Sequence, residues 1–226
     1  MKPRKIFIID GYPILREAFA SFIGAESDLE VCGQADSAEC ALAQIAALQP
    51  QVVILDIAYG GFNGLDLIRQ IKALAPEVGV LALSSVDETV YAERALRAGA
   101  GGYVMKQAPK EEVMIAIRKV ASGERYLSQR MQERMLEHFA TGSRRAALGV
   151  HRLTDRELEV FKLIGTGFST REIAEQLKLS TKTVETYRAH LKEKLGLRNG
   201  LELVRMALQG SQLSEESLSS LVLSRG

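Results

Sequence analysis

Five short apolar runs alternate with five amphipathic stretches over residues 1–123, and this alternation strongly constrains the fold. The runs lie at residues 6–9, 30–32 (the weakest), 52–55, 80–83 and 103–105. The stretches with apolar residues at helical spacing are 14–23, 38–48, 65–74, 88–98 and 110–121. Continuously apolar strands that alternate with helices predict an α/β doubly wound domain with a parallel five-stranded sheet, covered by helices on both faces.

Polar residues follow four of these runs. Asp10 follows the first run, Asp56 the third, Ser84 the fourth and Lys106 the fifth. Because the carboxyl ends of parallel strands share one edge of the sheet, the four side chains are predicted to converge there. Each residue alone also fits an ordinary role as a turn cap, a helix start or a loop lysine. The occurrence of all four in order favours a functional site.

The rear part of the chain, residues 153–208, carries repeated helix-start signals. In a capping box, a hydroxyl residue is followed three positions later by a glutamate, and each side chain accepts from the other residue's backbone amide. Thr154 with Glu157 and Ser169 with Glu172 fit that pattern. Only residues 178–180 separate the second helix from a third, which predicts a helix-turn-helix whose last helix enters the major groove of DNA. A helical hairpin used only for packing or protein contact is the other interpretation.

The third of these helices has two distinct faces. Its apolar residues recur at helical spacing and are predicted to pack inward: Val184, Tyr187, Leu191 and Leu195. Small or polar residues between them suit contact with base edges, and cations suit contact with phosphates. The base-facing candidates are Glu185, Thr186 and Ala189, and the phosphate-facing candidates are Lys182, Arg188 and Lys192. Since a carboxylate can accept from cytosine N4, Glu185 is a candidate for reading a C·G pair.

Composition supports two soluble domains of opposite charge. The 226 residues suffice for two cores, and 46% hydrophobic with 25% charged residues is typical of globular proteins. With no membrane-length apolar run and no leader-like start, the expected location is the cytoplasm, without membrane contact. Cys32 and Cys40 lack metal-ligand spacing and are expected to be reduced packing residues. Residues 1–123 contain 12 Lys and Arg against 15 Asp and Glu, whereas residues 150–210 contain 11 Lys and Arg against 8 Asp and Glu. An acidic front domain and a basic rear domain are typical of a regulatory domain joined to a DNA-binding domain.

The rear segment resembles the LuxR-type (GerE-like) DNA-binding domain. The motif residues that match in register are Leu153-Thr154, Arg156-Glu157, Glu159-Val160, Gly167, Ser169, Glu172-Ile173-Ala174, Leu177, Ser180, Thr183-Val184 and Lys194-Leu195. This resemblance implies that the chain binds double-stranded DNA. It also implies that the last helix, residues 199–209, pairs two output domains in a homodimer, whereas Leu201, Val204 and Leu208 taken in isolation predict only a core helix.

The front segment resembles the receiver domain of two-component response regulators over about residues 4–123. The resemblance places Asp56 at the phosphoacceptor, Ser84 at the switch hydroxyl, Tyr103 at the switch aromatic and Lys106 at the lysine that contacts the phosphoryl group. It implies a sensor histidine kinase as phosphodonor. Chemically the set is coherent, because a carboxylate can attack phosphorus while an ammonium and a divalent cation offset the developing charge.

The sequence departs from the receiver pattern at the acidic pair after the first strand. The family usually has two acids there, the second of which coordinates Mg²⁺, but this chain has Asp10-Gly11. The expected ligands are therefore Asp10, Asp56 and the backbone carbonyl of Ala58, which form a weakened Mg²⁺ site. We expect poor phosphorylation, or a switch that works without phosphate.

Together these features predict a dimeric transcription regulator of the NarL/FixJ type. The expected organisation is a receiver over residues 1–123, a linker with a short helix over 124–149, a LuxR-type helix-turn-helix domain over 150–210 and a tail over 211–226. RNA polymerase is a further candidate partner. The main alternative is a degenerate receiver that acts through protein–protein interaction, and an enzyme is disfavoured because no substrate domain follows the strand-end carboxylates.

Overall fold

The structure is a computed structural model that describes residues 2–57, 63–85, 87–141 and 150–209. It consists of two compact units, Met1–Glu137 and His138–Gly226. Ala58, residues 142–149 of the linker and the tail lie outside the described residues. Within the described parts, no helix has the length and apolar character that a membrane crossing needs.

The first unit is built on a five-stranded parallel sheet. The strands are β1 (Arg4–Ile9), β2 (Leu29–Ala35), β3 (Val52–Asp56), β4 (Gly79–Ser84) and β5 (Gly102–Met105), in the spatial order β2-β1-β3-β4-β5. The helices are α1 (Pro13–Gly24), α2 (Ala38–Leu48), α3 (Gly64–Leu74), α4 (Glu88–Ala98) and α5 (Lys110–Ala121). The predicted doubly wound fold is confirmed. The central strand β3 is buried along its whole length, as its uninterrupted apolar sequence predicts.

Two elements are longer than the sequence indicates. The apolar run at residues 30–32 predicts a short second strand, but β2 extends over seven residues to Ala35. It lies at the sheet edge and is largely half-exposed, so its later residues need not be apolar and the pattern does not reveal them. The linker helix α6 covers Gln129–Thr141, two residues beyond its predicted end at residue 139.

The second unit is an all-α bundle. A 3₁₀ turn (Val150–Arg152) precedes α7 (Asp155–Gly165), α8 (Thr170–Leu177) and α9 (Thr181–Leu195), and residues 200–209 form a further helix, α10. Both predicted capping boxes are present, and Ser180 caps α9 by accepting from the Thr183 amide. Side chains from all four helices form the core, including Phe161, Ile173, Val184, Leu191 and Leu203.

Two packing predictions are wrong. Spacing alone predicts that Leu201, Val204 and Leu208 form the buried face of α10. Instead Leu203 and Ala207 are buried, whereas Leu201 is 71% and Leu208 40% exposed. Both cysteines are free, but Cys40 is exposed rather than packed in the core, and Cys32 is half-buried.

Candidate functional site

The polar residues at the strand ends converge at the carboxyl edge of the sheet. Asp56 and Ser84 are the last residues of β3 and β4, and Asp10 and Lys106 directly follow β1 and β5. All four are buried, although each is polar or charged. Burial of charge is costly unless the groups are paired, so this cluster must satisfy itself internally.

Lys106 joins the two carboxylates. Its Nζ lies 2.6 Å from Asp10 Oδ2 and 2.8 Å from Asp56 Oδ2. Burial works against the ammonium charge, but Asp56 and Asp10 outweigh that effect and raise the pKa of Lys106 above its ordinary value. The lysine is therefore charged at neutral pH, and two carboxylates share one ammonium. The cluster can accommodate additional positive charge, as the binding of a divalent cation requires.

Two residues at the start of α1 and just before it support this cluster. The Tyr12 amide donates to Asp10 Oδ1 at 2.8 Å, and the Tyr12 ring centroid lies 5.7 Å from Lys106 Nζ, within range of a cation–π interaction. The Arg16 guanidinium donates to the Asp10 carbonyl oxygen at 2.6 Å. Both contacts depend on the turn between β1 and α1. A sequence signal was present in the Asp-x-Tyr spacing, because aspartate side chains often accept from an amide two residues later.

Asp10 and Asp56 are the two side chains of the cluster whose chemistry suits a metal ion. The described residues contain no group of three or more His, Cys, Asp or Glu side chains suited to a metal ion. Mg²⁺ binds through one or two carboxylates and retains several waters, so the pair fits a weak Mg²⁺ site. Gly11 contributes no side-chain ligand. Asp10 already accepts one hydrogen bond on each oxygen, which further limits its capacity for a metal.

Ser84 and Tyr103 form a pair beside this cluster. Tyr103 lies in β5 with its side chain fully buried, and its hydroxyl is hydrogen-bonded to Ser84. Burial raises the pKa of the phenol well above its ordinary range, so it stays neutral. The pair thus connects the end of β4 to the middle of β5.

In the second unit, the predicted faces of α9 are present. Val184 and Leu191 are buried, and Tyr187 and Leu195 are half-buried. Lys182, Glu185, Thr186 and Ala189 are exposed, and Arg188 and Lys192 are half-buried at the margins. The turn from α8 to α9 is tight because Lys178 adopts a left-handed conformation with φ 54°. Small or polar residues between cations are therefore available to a ligand along this helix.

A buried carboxylate connects α7 to the end of α9. Glu157 accepts from the Thr154 amide at 2.7 Å and from Lys194 Nζ at 2.7 Å. The side chain of Glu157 is only 4% exposed, and His190 Nδ1 lies 3.8 Å from its other oxygen. The sequence identified Glu157 as a capping residue but did not predict its link to α9.

A receiver-type sheet with this strand-end cluster, followed by a helix-turn-helix unit, defines the class of DNA-binding response regulators. The chain matches the families described as "Response regulator receiver domain" over residues 6–118 and "Bacterial regulatory proteins, luxR family" over residues 151–207. It belongs to the response regulators that combine these two domains, and it is a DNA-binding regulator of transcription.

Relatives and solved structures agree with this assignment. The chain is 34% identical over 210 residues to the oxygen regulatory protein NreC of Staphylococcus aureus, covering 91% of this chain and 97% of the relative. The fold is similar to that of RcsB from Salmonella typhimurium, with a TM-score of 0.73 and 22% identity over 93% of this chain and 99% of that one. A second RcsB structure, from Salmonella enterica serovar Typhimurium bound to promoter rprA with the phosphomimetic BeF3⁻, gives a TM-score of 0.69 at 23% identity, covering 90% of this chain and 98% of that one.

Proposed function

We propose that the receiver controls dimerisation and DNA binding through Asp56, by phosphorylation or by a switch that needs no phosphate. The buried Asp10–Lys106–Asp56 cluster carries this proposal. The finer organisation we propose is a receiver over residues 1–123, a linker over 124–149, a DNA-binding domain over 150–210 and a tail over 211–226. We further propose a cytoplasmic homodimer without enzymatic activity, with a sensor histidine kinase and RNA polymerase as partners.

The chemistry at Asp56 is nucleophilic. An oxygen of its carboxylate attacks the phosphorus of the donor, and an O–P bond forms as the bond from phosphorus to the leaving group breaks. Lys106 offsets charge on the phosphoryl oxygens, and the Ser84 hydroxyl donates to one of them. Receiver domains generally bind Mg²⁺ for phosphorylation. Here Asp10, Asp56 and the carbonyl of Ala58 would hold it, and it would supply further charge neutralisation.

The rate of phosphorylation tests the role of Gly11. We expect slow labelling of the full chain by acetyl phosphate with Mg²⁺, measured by intact mass, because the site lacks one acidic ligand. Gly11→Asp should label several-fold faster, and Asp56→Asn should not label. Rapid stoichiometric labelling of the unaltered chain, lost in Asp56→Asn, would show that Gly11 does not weaken the site.

The DNA contacts are proposed from the exposed face of α9. Glu185, Thr186 and Ala189 would meet base edges, and Lys182, Arg188 and Lys192 would mainly meet phosphates. Glu185→Ala should then change the preferred sequence in a binding-site selection assay. Lys192→Ala should weaken binding to all sequences. It should also reduce, by about one, the slope of the logarithm of the binding constant against the logarithm of the salt concentration, because one phosphate contact is lost. Glu193→Ala, an exposed change on the same helix, is the control. An equal, uniform loss in both variants would contradict the assignment.

A second candidate is a degenerate receiver that acts mainly by binding another regulator. The observation that favours it is the Lys106 bridge, which already pairs the two acids at a site where Gly11 contributes none. A gel shift without phosphodonor separates the two functions. Specific DNA binding supports the main proposal, whereas its absence with and without acetyl phosphate supports the alternative.

A further inference from the structure

Residues 122–128 connect α5 to α6 along the outer edge of β5. Tyr126 forms a parallel bridge with Gly102 of that strand. The Tyr126 amide donates to the Gly101 carbonyl at 3.0 Å, and the Tyr103 amide donates to the Tyr126 carbonyl at 3.1 Å. This segment, here called the strap, therefore continues the sheet by one bridge beyond its last strand.

Side chains of the strap and of the first turn of α6 anchor it to the receiver. Tyr126 is buried in the same core as the strands, and its hydroxyl donates to Glu112 Oε1 at 2.7 Å. Met131 is buried, and its amide donates to Ser128 Oγ at 3.1 Å, which starts α6. The first turn of α6 is thus fixed to the receiver.

Two contacts connect the strap and the first turn of α6 to the neighbourhood of the phosphoryl site. Tyr103, whose amide bonds the strap, also bonds Ser84 through its hydroxyl. Arg130 NH1 lies 3.8 Å from Asp87 Oδ2, and Asp87 caps α4 by accepting from the Thr89 amide. Tyr103 thus bonds both Ser84 and the strap, and Asp87, three residues beyond Ser84 along the chain, pairs with Arg130 in the first turn of α6.

We propose that the strap transmits the state of the Ser84–Tyr103 pair to the linker helix α6, which leads along the chain to the DNA-binding domain. The role of this coupling in the control of DNA binding rests on the proposed function. The coupling itself, from Ser84 to the strap, requires neither phosphate nor DNA. If the strap only covered the exposed edge of β5, the state of Ser84 would not affect it.

Gly102 provides a selective way to loosen the strap. A Cβ at this position would lie 2.8 Å from the Tyr126 carbonyl oxygen and 3.0 Å from its Cβ, so Gly102→Ala must displace Tyr126. Gly24→Ala is the matched control, because a Cβ there meets nothing within 4 Å. Ser84→Ala removes the hydroxyl that pairs with Tyr103.

Amide hydrogen exchange of the full chain without DNA or phosphodonor tests the proposal. Ser84→Ala should speed exchange at Tyr126 and in the first turn of α6 about fivefold, as for loss of one hydrogen bond, while β1 is unchanged. In a Gly102→Ala background, Ser84→Ala should add nothing, whereas in a Gly24→Ala background its effect should remain.

Two results would overturn the proposal. The first is that Ser84→Ala changes the amide exchange rates at Tyr126 and in the first turn of α6 by less than about twofold. The second is that Ser84→Ala speeds exchange as much in the Gly102→Ala background as it does in the otherwise unaltered chain. Failure of the proposed function has a separate signature, because absent DNA binding or absent labelling of Asp56 would leave these exchange rates as expected.

Discussion

At the scale of single residues, Lys106 determines whether two buried acids can coexist. Asp10 and Asp56 are each 2% exposed, and the lysine supplies a hydrogen bond to both. Removing one partner of a buried ion pair leaves an uncompensated charge, which costs far more than the pair itself contributes. Lys106 therefore stabilises the receiver in addition to its proposed contact with the phosphoryl group.

Replacement of this lysine should strongly destabilise the receiver. Lys106→Met is expected to lower the free energy of unfolding by about 3 kcal/mol, because two facing carboxylates lose their shared cation. Added Mg²⁺ should restore part of that loss. The measurement is urea unfolding followed by circular dichroism. Lys110→Met is the control, since Lys110 makes a partly exposed ion pair with Glu26 and should cost less than about 1 kcal/mol. Equal losses in the two variants would refute this role.

The convergence of the four polar residues could be predicted because strand order fixes where strands end. The contacts of Tyr12 and Arg16 could not, since they depend on how one turn directs an amide and a guanidinium toward Asp10. Long-range approach of side chains is set by the folded backbone, and residue spacing along the chain does not encode it.

At the scale of elements, Glu157 connects the start of α7 to the last turn of α9. Burial alone would raise the pKa of this carboxyl, but the hydrogen bonds from Lys194 and Thr154 hold it below its ordinary value of 4.5. The folded domain therefore favours the charged form. The stability that ionised Glu157 contributes is fully present above pH 4.5. It is lost as the pH falls through the lower pKa that Glu157 has in the folded domain.

This linkage predicts a pH-dependent cost of substitution. Glu157→Gln should lower the free energy of unfolding by about 2 kcal/mol at pH 7, because a charged hydrogen bond to Lys194 is lost. The difference from the unaltered chain should shrink as pH falls below 4.5, because Glu157 is protonated first in the unfolded chain and only at lower pH in the folded domain. Thermal unfolding by circular dichroism at pH 7 and pH 4 measures both values.

The second capping box is a matched control for this effect. Glu172 occupies the same position in α8, but it is exposed, and its carboxylate accepts from the Ser169 amide. Glu172→Gln should therefore be milder than Glu157→Gln at pH 7. A Glu157→Gln loss that is unchanged between pH 7 and pH 4 would contradict the assigned linkage.

Element boundaries were predicted best where burial is one-sided. The expected bounds of α4 and α5 agree with the observed helices, since each has one apolar face against the sheet. The buried face of α10 was predicted incorrectly, because the helix has apolar residues on two sides and spacing cannot identify which side meets the core. Packing partners decide that choice, and they lie elsewhere in the sequence.

At the scale of the whole molecule, the chain combines an acidic front and a basic rear. The net charge of +1 conceals this division, because residues 1–123 carry a net charge of −3 and residues 150–210 of +3. A basic DNA-binding domain is attracted to phosphates, whereas an acidic receiver is repelled by them. This distribution favours contact with DNA through the rear domain, in agreement with the family.

The exposed stripe of α10 gives a whole-molecule prediction about assembly. Because Leu203 and Ala207 supply the core contacts and Leu201 is 71% exposed, we expect Leu201 to contact a second copy of the chain. Leu201→Glu should abolish dimerisation in sedimentation velocity and weaken binding to paired half-sites, while single half-site binding and the fold persist. Leu74→Glu, at an exposed leucine of α3, is the control and should leave both unchanged. If Leu201→Glu dimerises like the unaltered chain, the stripe does not form the interface, since a buried carboxylate without a partner would be costly there.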